Sequence, residues 1–422
     1  MKRNILTFEE ALRRNAPTAF STLVKPAGSA CNLRCRYCYY LDKSRLYDNR
    51  QPVMSEELLE TYIRQYIEAN EVPEVTFIWH GGEPLLLGKD YYEKALALQR
   101  RYADGKRIEN VLQTNGTLLT EDWCRFFAAN GFLVGVSVDG PEDIHDAFRQ
   151  NRDGGVTFRR VEEGIALLQR FGVEYNTLSV VSRASEERGR EVYRFLKSLG
   201  SRYIQFLPAV EHIREEGGRP VVVPPGTSGS RAAEWSVSAT GYGKFLNDVF
   251  DEWVTADVGT CFVQMFDATL AGWCGVRPGV CSMAETCGDA LAVEHNGDVY
   301  SCDHFVYPEY RLGNIREDTL KNMYRSSRQF AFGLEKRNSL PAECLRCRYY
   351  FACRGGCPKH RFERNGDGGK HKNALCEGFR MFFAHAEPYM EYMRELLAQG
   401  QPPAFVRPWA RRRMGLDGIV EN

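Results

Sequence analysis

Three cysteines fall within one short stretch of the chain, as Cys31-x3-Cys35-x2-Cys38. Thiolates at this spacing can cap three irons of a cubane cluster. The loop has no fourth cysteine, which leaves one iron open to a non-protein ligand. Structural zinc takes four closed ligands, and no histidine stands nearby in sequence. A three-thiol zinc or copper site is the plainer alternative. Eight further cysteines gather toward the C-terminus: Cys281, Cys287 and Cys302, then Cys344-x2-Cys347-x5-Cys353-x3-Cys357, then Cys376. Eight thiols suffice for two fully ligated cubanes, or equally for two structural zinc sites. Of the fourteen cysteines, Cys124, Cys261 and Cys274 are left over. Cys124 lies in an amphipathic segment and reads as a small buried hydrophobe.

Other chemistry-bearing strings stand where strands are expected to end. Gly81-Gly82-Glu83-Pro84 pairs glycines, which let a ligand approach the backbone, with a carboxylate that can accept from an ammonium group. Gln113-Thr114-Asn115-Gly116 and Ser137-Val138-Asp139-Gly140 follow, and then His145-Asp146-x2-Arg149. The forked guanidinium of Arg149 suits a carboxylate. Singly, each string reads as a turn or a surface ion pair; their recurrence on one rim favours a shared site.

The elements that must position these residues alternate. Short runs rich in Val, Ile, Leu, Phe and Thr predict strands at 20–25, 75–79, 110–113, 133–138, 175–181 and 203–207. Helical patterns follow Ser55, a capping residue ahead of Glu56 and Glu57, and recur at 91–102, 121–130, 158–171 and 186–199. Six strand–helix repeats imply a parallel sheet with crossover helices, an α/β partial (β/α)6 barrel rather than the closed eightfold form. The stretch 215–238, with Gly217-Gly218 and Pro224-Pro225, predicts a mobile loop, and a helix follows at 242–255. The expected division is a barrel at 18–240, a cysteine-rich domain at 241–400 and a tail at 401–422.

Composition narrows the class. The 422 residues carry 55 acidic and 55 basic side chains, which offers no electrostatic case for nucleic acid or a membrane surface. Residues 1–10 lack the apolar core of a secretory signal, and no stretch reaches the roughly 20 apolar residues of a membrane helix. A cytoplasmic location is expected, and there clustered cysteines read as metal ligands rather than disulfides. Arg411-Arg412-Arg413 reads as a solvated basic end.

The three-cysteine loop followed one strand later by Gly81-Gly82-Glu83-Pro84 resembles the radical S-adenosylmethionine superfamily, and the C-terminal array resembles its SPASM domain. The likeness narrows further. Val24-Lys25-Pro26, Tyr39-Tyr40-Leu41, Gln113-Thr114-Asn115-Gly116-Thr117, Ser137-Val138-Asp139-Gly140-Pro141, Gly297-Asp298-Val299-Tyr300-Ser301-Cys302-Asp303 and Arg311-Leu312-Gly313-Asn314-Ile315 are similar to anaerobic sulfatase-maturating enzymes, over about residues 20–395. That family oxidises one cysteine or serine of a sulfatase polypeptide to Cα-formylglycine.

The resemblance implies S-adenosylmethionine and three [4Fe-4S] clusters. Cys31, Cys35 and Cys38 would bind the first. Cys281, Cys287, Cys302 and Cys357 would bind one auxiliary cluster, and Cys344, Cys347, Cys353 and Cys376 the other. Cofactor contacts carry over to Tyr37, Gly82, Glu83, Ser137, Arg149 and Val210. Tyr40 and His80 would touch the substrate, His80 standing where a glutamine can occur. Asp303, next to the ligand Cys302, occupies the general-base position; a structural acid near the cluster is the alternative. The implied partners are a sulfatase polypeptide with a Cys/Ser-x-Pro-x-Arg motif and a reducing electron donor. One rival is a SPASM enzyme acting on another ribosomal peptide, weakly disfavoured because no leader-binding domain is evident before residue 20. The other is a non-enzymatic metal-binding scaffold, which explains the thiols but not the rim motifs.

Overall fold

The computed structural model describes residues 16–47, 53–364 and 371–416. The readings of residues 1–10 and of the chain beyond 416 lie outside the described residues. In chain order the first strands and helices are β1 (Ser21–Lys25), α1 (Glu56–Ala69), β2 (Glu74–Trp79), α2 (Lys89–Tyr102), β3 (Arg107–Thr114), α3 (Glu121–Asn130), β4 (Leu133–Ser137), α4 (Glu142–Phe148), α5 (Phe158–Arg170), β5 (Tyr175–Val181), α6 (Gly189–Ser198) and β6 (Tyr203–Pro208). The expected strand–helix alternation is present, with ends shifted by a few residues. After it come β7 (His212–Glu216), β8 (Arg219–Val223), β9 (Arg231–Ala232), α7 (Ala239–Glu252), β10 (Phe262–Val263), α8 (Gln264–Trp273), β11 (Ala290–Glu294), β12 (Asp298–Tyr300), β13 (Arg311–Asn314) and the long α9 (Cys376–Ala398).

Local chemistry sets the element ends. The Ser55 hydroxyl accepts from the Leu58 amide at 3.2 Å and caps α1, and Thr120 does the same for α3 from Trp123. Gly131, at φ +64°, closes α3 in the left-handed region that glycine tolerates best.

The chain divides into two compact units, each built from three separated stretches. The first comprises the described residues within 16–31, 43–112 and 288–334. Its strands lie in the order β3, β2, β1, β11, β12, β13. The first four run parallel, and β12 and β13 turn back antiparallel. Tyr62 and Tyr66 of α1 pack on Phe77 and Trp79 of β2, all fully buried. The Trp79 indole N–H is satisfied by Asn110 Oδ1 at 2.8 Å.

The second unit comprises 32–42, 113–287 and the described residues from 335. Its strands β10, β6, β5 and β4 pair in parallel. Helix α7 meets α9 where Gly243 faces Gly378; a Cβ on Gly378 would lie 2.0 Å from the Ala239 carbonyl. Cys124 is fully buried in α3, as its pattern suggested.

One expectation fails. The stretch predicted as a mobile loop at 215–238 folds into a three-stranded antiparallel sheet, with β7 between β8 and β9. Gly217 and Gly218 take φ +59° and +76°, the backbone of a two-residue hairpin turn whose twist matches its strands. The glycine pair marks a hairpin, not a linker.

Candidate active site

In the first unit, β1 and β2 end side by side, and the chain beyond them forms a tight cradle. The Gly82 amide donates to the Gly28 carbonyl at 2.9 Å, and the Glu83 amide to the Ala30 carbonyl at 2.8 Å. A Cβ on Gly82 would sit 2.0 Å from the Ala30 oxygen, so only glycine permits this approach to the residue before Cys31. The Glu83 side chain is fully buried, and one carboxylate oxygen accepts from the Leu85 amide at 3.0 Å. A carboxylate in this position can accept from an amino group of a ligand.

Lys25 is the last residue of β1 and is fully buried. Its ammonium contacts the Asp303 carboxylate directly and lies 3.8 Å from Glu294, the last residue of β11. Asp303 opens a short turn immediately after Cys302. Burial pushes the Asp303 carboxyl up, but Lys25, His80 and His304 outweigh it and hold the group well below the usual carboxylate range. His80 accepts the Gly81 amide on Nδ1 at 2.8 Å, so in the neutral ring the proton sits on Nε2. Burial lowers its pKa, Asp303 raises it and Lys25 lowers it again, with a net fall.

In the second unit, the loop carrying Cys35 and Cys38 is anchored by main-chain bonds: Arg34 donates to the Gln150 carbonyl at 2.8 Å and Arg36 to that of Phe148 at 3.0 Å. Arg149 therefore sits next to Tyr37, its guanidinium 5.5 Å from the ring centre. Both converge on Asp139. Arg149 donates to it from Nη2 at 3.1 Å, its Nε stands 3.0 Å from the other carboxylate oxygen as an ion-pair contact, and the Tyr37 hydroxyl donates to the same carboxylate. The Val180 amide adds a third bond at 2.9 Å. Burial lowers the pKa of Arg149, but Asp139, Tyr37 and Cys35 raise it further than burial lowers it. Burial, with Asp139 and Cys35, raises that of Tyr37. Ser137, at the end of β4, accepts from Gln113 Nε2 at 3.1 Å. Val210 is buried, and the next residue, Glu211, pairs with Lys359, whose ammonium lies 4.8 Å from the Tyr39 ring centre. Tyr40 is buried as well.

None of the fourteen cysteines forms a disulfide. Among the described residues no three His, Cys, Asp or Glu side chains converge tightly enough for one metal ion. A cluster whose irons each take one thiolate needs no such convergence. Burial raises the pKa of Cys38, Cys357 and Cys376, and carries Cys344 to about 11 and Cys287 and Cys353 to about 12. Buried thiols of this kind release their protons on binding iron. Arg361 lies within reach of Cys357, Cys344, Cys287 and Cys353, with Nε and Nη2 buried and without hydrogen-bond partners among the described residues. That cation complements an anionic thiolate cluster, so the donor set fits the implied group.

Family comparisons agree with this geometry. Residues 26–196 match the radical SAM superfamily and 281–348 an iron–sulfur cluster-binding domain, SPASM. A serine-type anaerobic sulfatase-maturating enzyme of Bacteroides thetaiotaomicron is 50% identical over 385 residues, 90% of this chain and 93% of the relative. The chain belongs to the anaerobic sulfatase-maturating enzymes. A cysteine-type member from Clostridium novyi is 34% identical, over 91% of this chain and 99% of its own. A solved structure described as native anSMEcpe with bound AdoMet and Cp18Cys peptide superposes with a TM-score of 0.78 at 32% identity, covering 89% of this chain and 99% of that one. As a member of the family the chain is a radical S-adenosylmethionine oxidoreductase of formylglycine formation, with a radical SAM α/β fold, a SPASM domain and iron–sulfur clusters. No helix among the described residues is long and apolar enough to cross a membrane.

Three charged residues in these sites had no role assigned from sequence. Asp139 lay within a noted string, and Lys25 lay within the family-like Val24-Lys25-Pro26. Arg361 carried no local signal.

Proposed function

We propose that Asp303 is the proton acceptor when a serine or cysteine side chain of a sulfatase polypeptide is oxidised to formylglycine, and that Lys25 holds it in its anionic form. The observation that carries this reading is the buried contact between Lys25 and Asp303, one residue after Cys302. When bound at Cys31, Cys35 and Cys38, the cluster and S-adenosylmethionine supply a 5′-deoxyadenosyl radical able to remove hydrogen from the substrate Cβ. Once that hydrogen is gone, the neighbouring hydroxyl or thiol becomes far more acidic, so a weakly basic carboxylate suffices as acceptor, and the electron left on the substrate would pass to an auxiliary cluster when one is bound. The Lys25 ammonium keeps Asp303 ionised. His80 would offer its Nε2–H to the substrate, and Tyr40 would contact the substrate as well.

Gly82 and Glu83 would receive the amino end of the cofactor, Tyr37 its adenine and Arg149 its carboxylate, with Ser137 and Val210 beside it. The auxiliary clusters would fall to Cys281, Cys287, Cys302 and Cys357, and to Cys344, Cys347, Cys353 and Cys376. We propose a Cys/Ser-x-Pro-x-Arg target, a reducing electron donor and a cytoplasmic setting. The 50% identity to a serine-type relative supports serine as the preferred side chain.

Three variants test these roles. Asp303→Asn should leave reductive cleavage of S-adenosylmethionine running while peptide aldehyde falls by about 10²–10⁴, the usual contribution of a positioned base. Cys35→Ala should abolish both. Undiminished aldehyde from Asp303→Asn removes it from the role. Lys25→Met should lower aldehyde yield with cleavage intact; an unchanged yield removes the lysine. Paired Ser and Cys peptides, followed by mass spectrometry, report the side-chain preference.

A further inference from the structure

Arg361 has a different setting from every other buried cation in its unit. It follows the turn Pro358–His360, its amide donating to the Pro358 carbonyl at 3.1 Å. Among the described residues its side chain is held at one point, Nη1 donating to the Ser339 hydroxyl at 2.7 Å. Nε and Nη2 are buried and unpartnered, and no carboxylate pairs with the guanidinium among the described residues. A buried charge left in this state is costly unless an anion stands nearby.

The free edge of the guanidinium lies against Gly355. A Cβ added there would meet Nη2 at 3.1 Å and Leu340 Cδ2 at 2.3 Å. Gly355 is the midpoint of Cys353-Arg354-Gly355-Gly356-Cys357, and Gly355 and Gly356 both take left-handed φ, +75° and +61°. Asn373 Nδ2 reaches the Gly355 carbonyl at 3.4 Å and the Cys357 carbonyl at 3.3 Å, so this bend is fixed from its far side. Of the two cysteines that end the bend, one would serve each auxiliary cluster. Burial depresses the pKa of Arg361, and Cys357, Cys344, Cys287 and Cys353 oppose that fall. Both thiol sets therefore act on the one cation. Lys336 offers a contrast. Its ammonium donates to the Ser282 carbonyl at 2.9 Å and also to that of Ala284, both between Cys281 and Cys287 in the chain, and Cys287, Cys357 and Cys281 oppose the fall in its pKa that burial causes and Arg361 adds to.

We propose that Arg361 is a shared positive bridge between the two auxiliary clusters, raising the reduction potential of both, whereas Lys336 acts on one alone. Adding an electron makes a thiolate cluster more negative, and a fixed cation in a low-dielectric setting favours that reduced form. The proposal rests on the assignment of the eight SPASM thiols to two clusters.

The test is a mediator-controlled redox titration of the iron-loaded full-length enzyme, read by electron paramagnetic resonance, with iron counted per chain. In Arg361→Gln the reduced-to-oxidised ratio at a fixed poise should fall about tenfold for both auxiliary signals, equivalent to about 59 mV for a one-electron couple. The signal of the Cys31, Cys35 and Cys38 cluster should hold its potential. Lys336→Met should shift one auxiliary signal only. Unchanged auxiliary potentials at full iron content overturn the bridge. Iron near four per chain in the parent enzyme overturns the cluster assignment instead. If Arg361→Gln fails to load iron, Arg361→Lys is decisive: with the charge kept, both ratios should stay within threefold of the parent, and a tenfold fall overturns the proposal.

Discussion

Arg149 and Arg361 are both buried arginines within the electrostatic reach of candidate cluster cysteines, yet the fold treats them differently. Arg149 meets Asp139 through one hydrogen bond and a close ion-pair contact, and that carboxylate is completed by Tyr37 and the Val180 amide. Arg361 meets a neutral hydroxyl and nothing else among the described residues. The first pair is neutral as it stands and fixes the geometry around Tyr37 whether or not a cofactor is bound. The second leaves a net positive charge that only the thiolate side can balance. One site is finished by the protein; the other is finished by its cofactors.

The largest effect that would break this comparison is at the finished pair. Arg149→Met strands Asp139 in the interior and should cost about 3–5 kcal/mol, the usual penalty for half of a buried pair. Chemical denaturation measures it, and a loss under 1 kcal/mol would show that Asp139 finds another partner.

A pH series comes next. His145 is fully buried against this pair, Nδ1 facing the Asp139 amide and Nε2 the Thr157 hydroxyl. Burial lowers its pKa from 6.5 to about 4, with Asp139 and Asp146 opposing the fall and Arg149 adding to it. The unfolded chain therefore takes up a proton before the folded one. Stability should decline as pH falls from about 6.5 to about 4, by at most about 3 kcal/mol. Melting temperature against pH should show this slope, and His145→Gln should flatten it.

A smaller effect is expected at Tyr37. Tyr37→Phe removes one hydrogen bond to an ionised carboxylate and should cost about 1.5–3 kcal/mol. Because Arg149 keeps its ion pair with Asp139, the loss should not exceed that of Arg149→Met.

The smallest effect sharpens the other half. In protein stripped of iron with a chelator, Arg361→Met removes an uncompensated buried charge and should be neutral or stabilising by about 1 kcal/mol. With iron restored the sign should reverse. Calorimetry on both forms measures it, and destabilisation of equal size in each would mean that Ser339 alone sustains the arginine.

Much was legible along the chain. Strand and helix periods are local properties, so the six strand–helix repeats could be read with modest end shifts. The cysteine spacings and the strings around Gly82, Ser137 and Asp303 are local as well, and they carried the family resemblance. The stretch 215–238 was misread because its glycines and prolines suit a linker and a tight hairpin alike. What distinguishes them is whether β7 finds β8 and β9 as partners, which is a pairing outcome.

By itself the sequence determined which chemistry the chain can perform, because ligand types, their spacing and backbone periodicity are all encoded within a few residues. Only the tertiary structure decided which charges meet. Lys25 and Asp303 are far apart along the chain, and so are Arg361 and Ser339 relative to any repeat that would pair them. Coulomb and hydrogen-bond partners are chosen by proximity after folding, and burial then sets their strength. Whether a buried arginine is matched by the protein or left for a cofactor is therefore a property of the fold.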